Sequence, residues 1–166
     1  TLKIKITDIE STSSEVANAA YYQEIILKIS KTAEKKKESV LLTNAKDWIF
    51  TFIEGVENAE SNSVAGTGSN DVATNGVPFW LTVDFKEVKT VTGIQTTHWG
   101  AGYAPSKVEI FSSENGDDWV SIGQWDTKGR TQTITFDERV KTRYLKYQMI
   151  TVPSRVDITR FYIYAW

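Results

Sequence analysis

A chain of 166 residues that is 40% hydrophobic and 12% aromatic can bury the core of one domain, and it lacks the composition of a disordered segment. Its 19 basic and 21 acidic residues are intermixed for a formal charge of −2, which gives no general attraction to phosphate backbones or anionic lipid, so neither nucleic acid nor membrane insertion is expected. With no cysteine, disulfides, thiolate catalysis and cysteine-based zinc sites are all excluded.

From the start, Leu2, Ile4, Ile6 and Ile9 are spaced for a strand whose other face carries Lys3, Lys5 and Thr7. Residues 11–20 are small and polar, with Ser14 placed to cap a short helical turn, and residues 22–30 form a second candidate strand. The run KTAEKKKE at 31–38 reads as a solvated connection. Two strands seldom stand unaided in water. Residues 1–43 are therefore expected to be a two-strand extension or the end of an upstream domain, and residues 44–166 the main domain. No apolar run reaches membrane-spanning length, no signal-like segment opens the chain, and Thr1 is not an initiator methionine. The expected context is a piece of a longer protein.

Residues 57–76, rich in Gly, Ser, Asn and Ala and without periodicity, are expected to form a long surface loop, and loops of that length tend to carry function. Trp80-Leu81-Thr82-Val83-Asp84-Phe85 and residues 91–96 alternate as half-buried strands do. His98-Trp99-Gly100-Ala101-Gly102-Tyr103-Ala104-Pro105 then breaks the pattern with two glycines and a proline, and so reads as a loop. Residues 108–112 resume the alternation, and Glu114-Asn115-Gly116-Asp117 supplies Asn-Gly, the pair that best tolerates the positive φ of a hairpin turn. Strand-like runs follow at 120–125, 131–136, 144–150 and 159–164. Short strands with regular turns predict an antiparallel sandwich or barrel.

Catalysis has little to stand on. The single histidine, His98, has no serine beside it, and there is no G-x-S-x-G elbow, P-loop, dinucleotide fingerprint or HExxH. Asp117 and Asp118 are adjacent on a turn and point opposite ways, which suits turn chemistry better than a glycosidase pair. Trp48, Trp80, Trp119, Trp125 and Trp166 lie in or beside strands, where core or rim packing accounts for them. Trp99 sits instead in a glycine-flanked loop, where a ring can either stack on the C–H face of a sugar or cap the core.

Ser113-Glu114-Asn115-Gly116-Asp117-Asp118-Trp119 is similar to the S-x-D/N-G-x-x-W signature of discoidin domains, the fold of coagulation-factor C-type domains and of bacterial family-32 carbohydrate-binding modules. Trp80 to Phe85 resembles that family's W-hydrophobic-x-V-D-L strand, Arg143-Tyr144-Leu145-Lys146-Tyr147 its R-Y-hydrophobic-R/K strand, and Phe161-Tyr162-Ile163-Tyr164 its closing strand. The resemblance covers residues 44–166 and implies an all-β, eight-stranded antiparallel jelly-roll β-sandwich. The lack of cysteine points to the bacterial branch.

From the resemblance, the expected function is a non-catalytic carbohydrate-binding module. It would be monomeric and extracytoplasmic, and would carry a catalytic domain of the same parent chain to its polysaccharide. The alternative is a structural or protein-interaction jelly roll that has lost the sugar site, since the histidine and arginine typical of galactose binding lack obvious counterparts. The expected ligand site lies at the loop end, with Trp99 as stacking platform, His98 as hydrogen-bonding partner and Tyr103 extending the aromatic surface. Asn75 and Asp71 from the long loop and Arg130 from the turn before residue 131 would add polar contacts. The opposing reading has His98 satisfying a backbone carbonyl and Trp99 capping the core. No cofactor is expected. A structural calcium ion is the one exception the resemblance keeps open, although Arg160 stands near the family's glutamate position and Asn70-Asp71 lacks its Asp-Gly spacing.

Overall fold

The computed structural model describes residues 38–43, 47–60, 64–65, 71–75 and 79–166. The strands and helical turn expected between residues 2 and 30 lie outside the described residues. Those described carry nine strands: β1 (Val40–Leu42), β2 (Ile49–Phe52), β3 (Val72–Asn75), β4 (Phe79–Thr97), β5 (Lys107–Ser113), β6 (Val120–Asp126), β7 (Thr131–Thr151), β8 (Arg155–Ile158) and β9 (Arg160–Ala165). A 3-10 turn, Ala101–Tyr103, is the one helical piece among them. Eight strands, β2 to β9, fall within residues 44–166, and all pairings are antiparallel, giving the jelly-roll sandwich. No helix among the described residues is long and apolar enough to cross a membrane.

β4 and β7, at 19 and 21 residues, are too long for one flat sheet and run through both. Residues 79–84 of β4 pair with residues 144–149 of β7 on one side, residues 81–84 pair with β2 on the other, and β5 and β6 continue that sheet. Residues 89–97 of β4 pair with residues 131–142 of β7 and, from 91, with β9, which in turn carries β1. Between Asp84 and Lys89 the ladder is interrupted, and Lys86 adopts a φ of 67° as the chain turns the corner. Asp84 holds that corner. Its carboxylate accepts the Lys86 N–H at 2.7 Å and both Arg143 Nε and a terminal guanidinium nitrogen at 2.9 and 3.0 Å. Those Arg143 hydrogen bonds hold its carboxyl well below the usual carboxylate range.

The two sheets meet through aromatic rings. Phe161 of β9 lies 6.0 Å from Phe50 of β2 and 6.0 Å from Tyr147 of β7, both near edge-on. Of the tryptophans expected to pack, Trp48 is buried against Phe85 at 4.8 Å and Trp125 packs on Phe136 at 5.6 Å. Trp166 remains partly exposed beneath the Arg139 guanidinium. The Asn-Gly turn closes on itself. Asn115 Oδ1 accepts the N–H groups of Asp117 and Asp118 at 3.0 and 2.9 Å, and Gly116 takes a φ of 87°.

A second irregularity sits at Val91/Gly93, where β4 slips register against both neighbours. Before it, Phe79, Leu81, Val83, Phe85 and Val91 face the core; after it, Ile94, Thr96 and His98 do. A bulge exchanges the two faces of a strand. Gly93 is required there, because a Cβ would fall 2.3 Å from the Ile134 carbonyl oxygen.

One expectation is corrected. The described part of residues 57–76 is not a structureless loop, since Val72–Asn75 pairs with β8 as a separate two-stranded sheet and Glu57 bridges Ala73. Val64 and Ala65 are buried in the same stretch. Small residues with little alternation gave no period, and the pairing partner lies some eighty residues away in sequence.

Gly93→Ala should lower stability by about 1–3 kcal/mol through forced backbone movement, as read from urea unfolding. A loss under about 0.5 kcal/mol would show that the close approach to Ile134 is not as described. Because the folded carboxyl of Asp84 titrates below its unfolded value, its contribution is present above pH about 4 and is lost as pH falls through the folded value. Asp84→Asn should therefore be less stable at neutral pH, with a shallower acid decline than the parent chain.

Candidate ligand-binding site

The bulge decides which way the β4–β5 loop presents its side chains. His98 continues the inward face and is fully buried, while Trp99 turns outward and is 66% exposed. A carbonyl can only accept, so His98 Nδ1 carries the proton that it donates to Asp157 O at 2.6 Å. On the same ring, Nε2 lies 3.2 Å from Thr96 Oγ1. Both ring nitrogens are engaged inside the protein, which is the structural role weighed for His98 and leaves no ring atom open to a ligand. Trp99, by contrast, does not cap the core.

The loop is clamped from both sides. The His98 N–H donates to Arg130 O at 2.9 Å and Arg130 Nε donates back to His98 O at 3.1 Å. Arg130 is thus a brace on the main chain, and it is absent from the cleft beside Trp99. On the other side Thr97 O accepts both the N–H and the hydroxyl of Thr159, at 2.7 and 2.9 Å. The Trp99 N–H donates to the Asp157 carboxylate, 3.0 and 3.3 Å from its two oxygens, with Asp157 itself almost fully buried. Tyr103 closes the 3-10 turn by donating its N–H to Gly100 O at 3.1 Å, which leaves its ring 39% exposed.

A cleft of about 220 Å³ lies beside these rings, lined by Asp71, Trp99, Tyr103, Arg155 and Asp157. Three of the six expected site residues, Asp71, Trp99 and Tyr103, come together there. Asn75 lies at the rim, its side-chain oxygen 3.5 Å from an Arg155 guanidinium nitrogen. Arg155 also grips Glu57 through both terminal nitrogens, at 3.2 and 2.7 Å. Hydrogen bonding within that pair holds the Glu57 carboxyl below its ordinary range and raises the Arg155 guanidinium above its own. Sequence reasoning missed Arg155 and Asp157. Their signal was the alternation Arg155-Val156-Asp157-Ile158, a short strand with two charged side chains two residues apart.

A larger cleft, about 680 Å³, lies at the signature turn, where Ser113, Asn115, Asp118, Lys141 and Thr142 are among its lining. No aromatic ring lines it, and Ser113, Asn115 and Asp118 are bonded to one another within the turn. Size alone does not make it the better candidate, because saccharide recognition draws on flat apolar rings beside polar groups. Among the described residues no group of three or more His, Asp and Glu could hold a metal ion, and Arg160 occupies the start of the closing strand with its guanidinium on Thr159 O.

The family model for the F5/8 type C domain matches residues 53–161. Among solved structures, the chain is similar to CBM32-1 from a family 31 glycoside hydrolase of Clostridium perfringens, with 20% identity and a TM-score of 0.60, covering 74% of this chain and 96% of that one. It is similar to the family 32 module of C. perfringens NanJ, solved in complex with galactose, at 21% identity and TM-score 0.60, covering 75% and 99%. The C-terminal domain of a chitobiase from Bacteroides fragilis aligns at 18% identity and TM-score 0.60, covering 76% and 98%. No curated protein matches the sequence.

Asp157→Ala removes the acceptor of the part-buried Trp99 N–H. The variant should exchange the Trp99 amide hydrogen faster than the parent chain by NMR. Unchanged exchange would mean that Asp157 does not hold the loop.

Proposed function

The chain belongs to the F5/8 type C family, and from that premise we propose that it is a non-catalytic carbohydrate-binding module whose ligand stacks on Trp99. The observation that carries the reading is the exposed Trp99 ring, held by its own backbone over a cleft whose other walls are Tyr103, Asp71, Arg155 and Asp157. A rigid aromatic face with a few fixed polar groups is the arrangement that binds sugars, the ring taking the C–H face and the polar groups the hydroxyls. In this reading His98 is a positioning residue, fixing where the loop leaves β4, and Arg130 braces it. Asn75 contributes at the rim through Arg155.

The module would work as a monomer attached to a larger bacterial glycan-degrading protein outside the cytoplasm. Structural neighbours are modules of glycoside hydrolases from C. perfringens. The sequence covers 76% of its own length against only 14% of a family 89 glycoside hydrolase from C. perfringens, so catalysis would belong to another part of the parent protein.

Truncating an aromatic anchor at a binding surface costs about 2 kcal/mol or more, roughly thirtyfold in affinity. Trp99→Ala should therefore abolish calorimetrically measurable binding of a millimolar saccharide ligand while leaving the melting temperature nearly unchanged. If the variant binds as before, Trp99 is not the stacking platform; if the folded parent chain binds nothing across a broad glycan array, the jelly roll is a structural or protein-interaction module instead.

A further inference from the structure

The cleft at Trp99 is acidic. Asp71 and Asp157 line it with carboxylates, and Arg155 is the only cation among its lining residues. Both its terminal nitrogens are held by Glu57, and its charge also reaches Asp71 and Asp157, so three carboxylates share one guanidinium and the cleft keeps a negative excess. The cations on adjacent elements are tied to the main chain, Arg130 to His98 O and Arg160 to Thr159 O, and neither lines the cleft. The Asp157 carboxylate accepts the Trp99 N–H. Of Asp71, only the main chain is hydrogen-bonded among the described residues, its carbonyl accepting from Asn58 at 2.9 Å.

Two carboxylates beside two exposed aromatic rings favour a cation, since the face of an aromatic ring attracts positive charge and a carboxylate completes its shell. We infer that the cleft takes a saccharide bearing a protonated amine, with the ammonium group set between the Asp71 carboxylate and the rings of Trp99 and Tyr103. This inference rests on the saccharide-binding reading and narrows it. Acetylating the amine removes the charge while keeping the ring, so the N-acetylated sugar isolates the electrostatic contribution from stacking.

The test is calorimetry on the full chain with a glucosamine tetrasaccharide and its fully N-acetylated counterpart. Mildly acidic, low-salt buffer keeps the amine protonated and leaves surface charges little screened. The free amine should bind about tenfold tighter, a preference that added salt weakens. Asp71→Asn keeps the side-chain shape and should bind both tetrasaccharides alike. Equal or tighter binding of the acetylated sugar, or a preference that survives in Asp71→Asn, overturns the amine assignment. If a neutral saccharide still binds through Trp99, the module reading stands without it. If no saccharide binds the folded chain, both readings fall together.

Discussion

The face exchange in β4 is the constraint on which the candidate site depends. Without the irregularity at Val91/Gly93, alternation counted from Val91 would bring Trp99 to the core and His98 to solvent. With it, Thr96 and His98 are buried and Trp99 faces out. Gly93 permits the slip because its main chain lies against Ile134 with no room for a side chain. The same strand that closes the sandwich therefore aims the exposed ring, and core packing and site geometry are two consequences of one backbone defect.

Below the ring, polar groups are consumed in positioning it. His98 joins β4 to β8 through Asp157 O, Asp157 returns a carboxylate to the Trp99 N–H, and Arg130 closes the opposite side on the His98 main chain. Among the described residues two buried side-chain polar atoms lack a partner, Gln132 Oε1 and the Tyr147 hydroxyl, and Gln132 lies opposite Thr96 at this end. The result is a ring whose backbone is fixed before a ligand arrives, which lowers the ordering cost of binding. The corner at Asp84 and Arg143 is the other polar clamp, set where the sheets join.

Much of the fold was legible because antiparallel strands with one buried face write their period into the sequence, as residues 79–85 and 144–149 do. The signature turn was legible because Asn115 and Gly116 satisfy it locally. β3 and β8 were not, since Val72–Asn75 and Arg155–Ile158 are four residues each and owe their strand form to one another. Trp99, Tyr103 and Asp71 could be found as residue types that suit a binding surface in expected loops. Arg155 and Asp157 were missed, because two charges two residues apart in a four-residue run are a faint signal and their place depends on that same unseen pairing. His98 drew attention as the single histidine of the chain, yet a one-residue slip of register turned it inward. Gly93 within a strand was the available sign of that slip.

The account stands on a ligand seated at the Trp99 loop and not elsewhere on the sandwich. Titrating an isotope-labelled chain with a bound saccharide, and following amide and tryptophan indole shifts by NMR, reads the location directly. Shifts concentrated at the Trp99 indole, Tyr103, Asp71 and residues 155–157 are the expected result. Shifts centred on Ser113, Asn115 and Lys141 at the larger cleft, with the Trp99 indole unmoved, would contradict it.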